Sequence, residues 1–512
     1  MAGRRWAASG TAGMMVMVLC AGSLPPGWAE MGAITAHAAK VCSRTGVAAG
    51  GGGLWSDGKK VQPGGVAEPD IDPDNPASQL GYDALAYGAS KFTGSDVLGK
   101  ARWVLPGRNY EVVGDEHTVV FHRPEGIAAY EAKDGRVLWH LADTDEEFAF
   151  PWGQDEIIAI QGKVLVRRYD PDPSAPGRTN YALQALDPRT GDLLWCAADT
   201  TDPRVDPAVP GIVVAPVVTR DQPSGGVEER QVALIDAATG QRRKTIDLDT
   251  TVLGDVGADE RTGRWSNYDF NIAVQNGKII AYAHTAVAVY DLGTGELLFD
   301  TDLDEELDHD PEGQIENVAA AEGTVMVQTH YRHPKDRYRK ANLFVGYGPD
   351  GRKIWQERPD DGEIDPGLEW KVQAYHRLHG RGNRIPVTGG VVLMHNYGDL
   401  DDFRLRAVRV RDGKMLWERD HSAFTSKPDT SNDEGQFGFD HEIRGAGLLD
   451  TSDGSVTPLG IKGTYLDEEL PHSGGFPADQ VNVVALPGAV VVTSPGDGDE
   501  RSWGSAVFAP VR

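Results

Sequence analysis

The sequence predicts an all-β chain folded as a β-propeller of eight four-stranded blades, or seven if the short unit near residues 437–461 is not a true blade. Three observations predict it. A hairpin phrase returns along the chain at intervals of 41 to 62 residues, two further short apolar runs precede most copies, and no long amphipathic helix stands between them. The chain has 512 residues, 40% of them hydrophobic and 25% charged, with 62 Gly and 31 Pro. That is enough apolar material for a full core, in the turn-rich proportions of many short strands. The formal net charge of -27 leaves no net attraction to polyphosphate, so nucleic acid is excluded as a partner class.

The phrase itself is an apolar run, an Asp, a Gly and a second run. Its copies carry Gly135, Gly191, Gly240, Gly295, Gly351 and Gly413, with a degenerate seventh at Gly454. Four residues beyond each glycine stands an aromatic: Trp139, Trp195, Phe299, Trp355 and Trp417, with Lys244 in that place in the third copy. Trp103 keeps the same distance from Gly99 near the start of the repeat region. A glycine that accepts positive φ between two alternating runs is a hairpin turn. Upstream runs such as 156–160 with 163–166, or 271–274 with 278–282, bring each unit to four strands. The last unit lacks a fourth strand, and the segment around 101–105 is placed to supply it. A large flat side chain recurring at one register position suits the docking of one blade on the next.

The phrase D-x-x-T-G-x-x-x-W resembles the tryptophan-docking motif of the PQQ-like propeller repeat family, which includes quinoprotein alcohol dehydrogenases and BamB-like scaffolds. The resemblance spans about residues 95–511. It implies a β-propeller in which Trp103, Trp139, Trp195, Phe299, Trp355 and Trp417 are docking residues. For the dehydrogenase branch it also implies adjacent cysteines and calcium ligands beside a catalytic Asp. The three cysteines, Cys20, Cys42 and Cys196, are far apart, so PQQ is not supported and no cofactor is expected.

Ahead of the repeats, residues 1–38 read as an export signal: Arg4 and Arg5, an uncharged stretch from Trp6 to Leu24, and small-residue sites near Ala36 and Ala38. An uncleaved anchor stays open, while lipidation at Cys20 is opposed by Leu19 before it. Residues 39–94 read as a flexible Gly-, Pro- and Asp-rich linker. The propeller then occupies 95–512, in an extracytoplasmic protein, secreted or held at the cell envelope. Membrane contact is expected only through the N-terminal segment, if it stays uncleaved or lipidated.

Turns between first and second strands are short, whereas connections between second and third strands and between units are long. In an up-and-down blade the two long classes share one face, where a protein, peptide or glycan partner is expected. The only dense basic stretch lies there: Arg332, His333, Lys335, Arg337, Arg339 and Lys340, read as a loop that binds an anion or partner. The acidic segment Asp302 to Asp310 leads into the same unit and could instead neutralise it. His330 with His333, and His376 with His379, stand three apart but lack a metal-site pattern. No nucleophile elbow, P-loop or dinucleotide fingerprint occurs, so no catalytic or metal residue is assigned. The function expected is a non-catalytic binding scaffold. The alternative is a hydrolase or lyase using carboxylates in the central funnel, and less so a quinone-dependent dehydrogenase.

Overall fold

The computed structural model describes residues 47–49 and 94–510, apart from 96, 106–110, 124–125, 143–156, 161, 172–178, 207, 218–230, 249–252, 254–270, 308–312, 334–335, 359–369, 373–388, 397–403, 421–427, 432–435, 440–446, 451, 459–460, 463–481 and 494–504. These residues form antiparallel sheets with no helical element among them.

Seven sheets are meanders whose strands pair in chain order, an eighth takes its fourth strand from earlier in the chain, and a small ninth pairs Gly94–Ser95 with both Gly99–Lys100 and Ile461–Lys462. Sheet 1 runs Glu111–Gly114, Thr118–Arg123, Gly126–Glu131, Val137–Ala142, and sheet 2 runs Ile157–Ile160, Lys163–Pro171, Thr179–Leu186, Leu193–Ala198. Sheet 3 is Arg204–Val205, Ile212–Pro216, Gln231–Asp236, Arg242–Asp247; sheet 4 is Asn271–Gln275, Lys278–Ala283, Ala286–Asp291, Leu297–Asp302. Sheet 5 comprises Gln314–Ala321, Thr324–His333, Asp336–Tyr347, Lys353–Glu357, and sheet 6 Trp370–Val372, Val391–Asn396, Arg404–Arg409, Met415–Asp420. Sheet 7 holds Pro428–Ser431, Gln436–Phe439, Gly447–Asp450 and Val456–Pro458. In sheet 8, Asn482–Leu486, Ala489–Thr493 and Ser505–Phe508 are joined in fourth place by Trp103–Leu105, with Val507 opposite Trp103.

The inner strands are apolar on both faces because both faces are covered. Ile212–Pro216 is buried at every position, and Lys278–Ala283 at all but its lysine. Alternate side chains go to opposite neighbours: Val164 and Val166 pack with Val113, Val120 and Trp139 of sheet 1. Leu165 between them packs with Val213 and Ala215 of sheet 3. The same sharing joins sheets 3 and 4, 4 and 5, 5 and 6, and 8 and 1.

The recurring turn is built in two ways. In the longer phrase, Asp187 Oδ1 accepts the Arg189 and Thr190 N–H groups at 2.8 and 3.0 Å, and Thr190 Oγ1 accepts that of Asp192. Asp236 with Thr239 and Asp291 with Thr294 repeat the arrangement. In the short phrase, an Asp immediately before the glycine accepts the N–H just after it, as Asp134 does from Arg136 and Asp412 from Lys414.

One strand departs from the linker reading. Val47–Ala49 pairs with the fourth strand of sheet 1, Val47 opposite Leu141 and Ala49 opposite Trp139, and makes that sheet five-stranded. Three residues without Gly or Pro, at an open sheet edge, suffice for pairing that a composition average conceals. The rest of 39–93 and the whole of 1–38 lie outside the described residues.

Candidate functional site

The motif aromatics occupy equivalent positions. Each lies on the fourth strand of its sheet, and its ring reaches the turn of the sheet that follows. Trp103 Nε1 donates to the Ala132 carbonyl at 3.2 Å, Trp139 to Pro188 at 2.8 Å, Trp195 to Ala237 at 3.0 Å and Trp355 to Val410 at 3.0 Å. The acceptor is in every case three residues before the next turn glycine. Phe299, with no donor, lies against Gly351, and Trp417 against Gly454. Gly135, Gly191, Gly240, Gly295, Gly351 and Gly413 all have positive φ, between 67° and 74°. At Gly240 a Cβ would also sit 2.6 Å from the Trp195 ring, so the position excludes side chains twice over.

The basic stretch is not the loop that its charge density suggests. The second and third strands of sheet 5 run ten and twelve residues, against six and six in sheet 4. Their pairing carries Arg332 opposite Lys340 and His333 opposite Asp336, with a register shift between Arg332 and His333. Arg337, Arg339 and Lys340 therefore belong to the strand, while Lys335 lies outside the described residues. Cross-strand pairing satisfies the backbone and overrides the propensity of a charged run for a loop.

At the base of this hairpin lies a polar network that spacing did not reveal. A bulge between Ile315 and Asn317 on the first strand presents Glu316, whose Oε1 lies 2.7 Å from His330 Nδ1. Asn317 Nδ2 donates to Gln328 Oε1 at 3.0 Å, and Gln328 Nε2 lies 3.3 Å from both Glu316 Oε2 and Asn342 Oδ1. Gln328, Asn342 and His330 are buried. Sheet 1 holds a related pair: Glu111 and His122 face each other across its first two strands, both buried, with carboxylate and imidazole 3.9 Å apart. Glu111 Oε2 also accepts the Ile157 N–H of sheet 2 at 3.0 Å. The legible signal was a polar residue inside an otherwise apolar run, on the first and second strands of a unit.

Between sheets 5 and 6, Arg406 binds Glu418 through two nitrogens at 3.0 and 3.2 Å and stands 3.5 Å from Glu357. Burial pushes the Glu357 carboxyl above its ordinary range, and Arg406 pulls against it. Arg167 pairs with Asp202 where sheet 2 leads into sheet 3. The acidic segment before sheet 5 is engaged elsewhere as well: Glu306 lies 3.3 Å from Lys353, and its carbonyl accepts from Arg358.

Residues 48–249 and 228–434 match the family model described as outer membrane protein assembly factor BamB. The chain belongs to this BamB family of PQQ-like β-propellers. Among solved structures it is similar to BamB from Moraxella catarrhalis, with 13% identity over 67% of this chain and 80% of that one and a TM-score of 0.34. It is similar also to a europium-containing methanol dehydrogenase, with 13% identity, 67% and 72% coverage and a TM-score of 0.37. A third likeness is to the propeller domain of the trilobed protease from Pyrococcus furiosus, with 9% identity, 66% and 88% coverage and a TM-score of 0.38. No curated protein matches.

Within this BamB-family chain Cys196 is disulfide-bonded, on the fourth strand of sheet 2. Of the paired histidines, His330 bonds to Glu316, and His376 with His379 lie outside the described residues. Among the described residues no group of three or more His, Cys, Asp or Glu could hold a metal ion, and no helix is long and apolar enough to cross a membrane.

Proposed function

We propose that this BamB-family chain is an exported, non-catalytic scaffold whose eight blades close into a ring through the strand Trp103–Leu105, each blade docked on the next by its motif side chain. Its partner is a protein bound on the face where sheet 5 extends its hairpin. The observation that carries this reading is the hairpin: strands of ten and twelve residues bearing Arg332, His333, Arg337, Arg339 and Lys340, in a chain of net charge -27. A paired two-strand extension holds its charges on ordered backbone, which lowers the ordering cost of binding an acidic surface. The network beneath it supports a structural role, since Glu316, Gln328, Asn342 and His330 bond to one another inside the blade. PQQ and nucleic acid play no part in this reading. Its location is extracytoplasmic, with residues 1–38 as export signal and any membrane contact made by that segment.

The test is capture of envelope proteins by the mature chain and by the combined variant Arg332→Gln, Arg337→Gln, Arg339→Gln, Lys340→Gln. The scaffold reading expects a discrete acidic partner that is lost with the variant and with rising salt. An unchanged set of captured proteins would remove the hairpin from the interaction.

A further inference from the structure

A second surface stands apart from the hairpin face. Among the described residues seven large hydrophobics are exposed, and six of them fall at one place in the repeat: Leu194, Leu297, Leu298, Ile354, Met415 and Leu416. All six lie on fourth strands, two or three residues after the turn glycine. Chain geometry alone does not require aliphatic side chains there, because the ring-bearing residue beside them already fills the interface with the next sheet. The fourth strand is also an edge of its sheet, and unpaired backbone beside exposed aliphatics is a template for another strand.

Sheet 1 shows such an edge in use. Val47–Ala49 lies along its fourth strand, and Leu138, at the same repeat position as Leu298, is only partly exposed. Charge separates the edges. Five and seven residues after the glycine, sheet 1 has His140 and Ala142, neutral neighbours for Val-Ala-Ala. Sheet 4 has Asp300 and Asp302 at those positions and Glu296 just before the strand, with no basic residue from Glu296 to Asp302. The Asp302 carboxylate accepts one N–H, that of Asp304 at 3.0 Å. The fourth strands of sheets 5 and 6 carry basic residues among their acids: Lys353 in the one, Arg419 in the other.

We propose that the edge strand Leu297–Asp302 is a docking site for an extended strand of a partner protein that carries, at alternate positions on one face, an aliphatic residue followed by two basic residues. The aliphatic covers Leu297 and Leu298, the backbone adds to the sheet, and the lysines or arginines two and four residues from it, on the same face, stand across from Asp300 and Asp302.

The full chain is titrated with two short synthetic peptides, a Val–Lys peptide with Val, Lys and Lys at successive alternate positions and Thr between them, and a Val–Glu peptide with Glu in place of each Lys, and backbone amide exchange is followed across Leu297–Asp302. The expected result is binding of the Val–Lys peptide with slowed exchange confined to that strand. Asp300→Lys with Asp302→Lys then weakens it by about tenfold and transfers preference to the Val–Glu peptide. Leu298→Asp removes binding of both while the thermal transition of the chain stays in place. The proposal is overturned if neither peptide binds, if both bind alike, if protection falls on other strands, or if a second copy of the chain covers Leu297–Asp302 as concentration rises.

Discussion

The ammonium of Lys244 lies 2.9 Å from the carbonyl oxygens of both Thr294 and Gly295, and its Cδ is 3.0 Å from where a Gly295 Cβ would be. In six other sheets a ring occupies this place; here an aliphatic stem covers the turn and a charged donor bonds to its last two carbonyls, where most of the rings donate an indole N–H to a carbonyl earlier in the turn. One register position thus supplies two things, bulk over the glycine and, at most copies though not at Phe299, a donor for the turn.

Replacing Lys244 separates them. Lys244→Met keeps the stem and loses both hydrogen bonds, with an expected loss of about 1 kcal/mol. Lys244→Trp restores the ring used by neighbouring sheets and is expected to hold or exceed the starting stability. Thermal denaturation of the three proteins checks the order.

Trp139→Phe keeps a buried ring but leaves the Pro188 carbonyl without the donor now 2.8 Å away. The expected cost is about 1–3 kcal/mol from the unmet acceptor together with the lost volume. Trp139 is fully buried, so solvent cannot replace the bond. Denaturant titration of this variant beside Phe299→Leu, at a position with no donor to lose, isolates the hydrogen bond.

Gly240→Ala places a methyl 2.6 Å from the Trp195 ring at a φ of 71°. Backbone conformation and overlap together should cost about 2–4 kcal/mol. Gly162 has a similar φ of 67° with nothing within 4 Å, so Gly162→Ala should cost only about 1 kcal/mol. Equal losses in the two variants would show that the indole contact contributes nothing.

Asp236 has its carboxyl held down at about 2, first by Arg243 and then by the backbone and hydroxyl of Thr239. A carboxylate whose pKa is depressed by folding stabilises the fold above its unfolded value of 3.8, and that contribution disappears as pH falls through about 2. Arg243→Gln should return the Asp236 titration toward its ordinary value and move the acid limb of the stability profile to higher pH. Carboxyl-carbon NMR titration reads the first effect and circular dichroism against pH the second.

The repeat was legible because its chemistry is local. Asp187, Thr190 and Gly191 satisfy their own turn within a few residues, so their identities appear in the sequence as a pattern. The loop reading at 331–340 failed for the opposite reason: Arg332 and Lys340 pair across the sheet, and no property of a basic run reports a partner eight residues away. Glu316 with His330, and Glu111 with His122, escaped notice because such pairs depend on strand register and, in sheet 5, on a bulge. The strand at Val47 was masked by the glycines that follow it.

The order of residues alone settles where chains turn and which side chains are large at each turn, since Asp, Thr and Gly act on groups two to four residues away. Folding had to decide what those turns meet. That an indole bonds to a carbonyl 29 to 55 residues ahead in the chain, that Lys244 stands in for one, and that Trp103 lies opposite Val507 are consequences of sheets stacking face to face. Burial on two sides and edge pairing are cooperative over the whole molecule, and no short stretch of sequence encodes them.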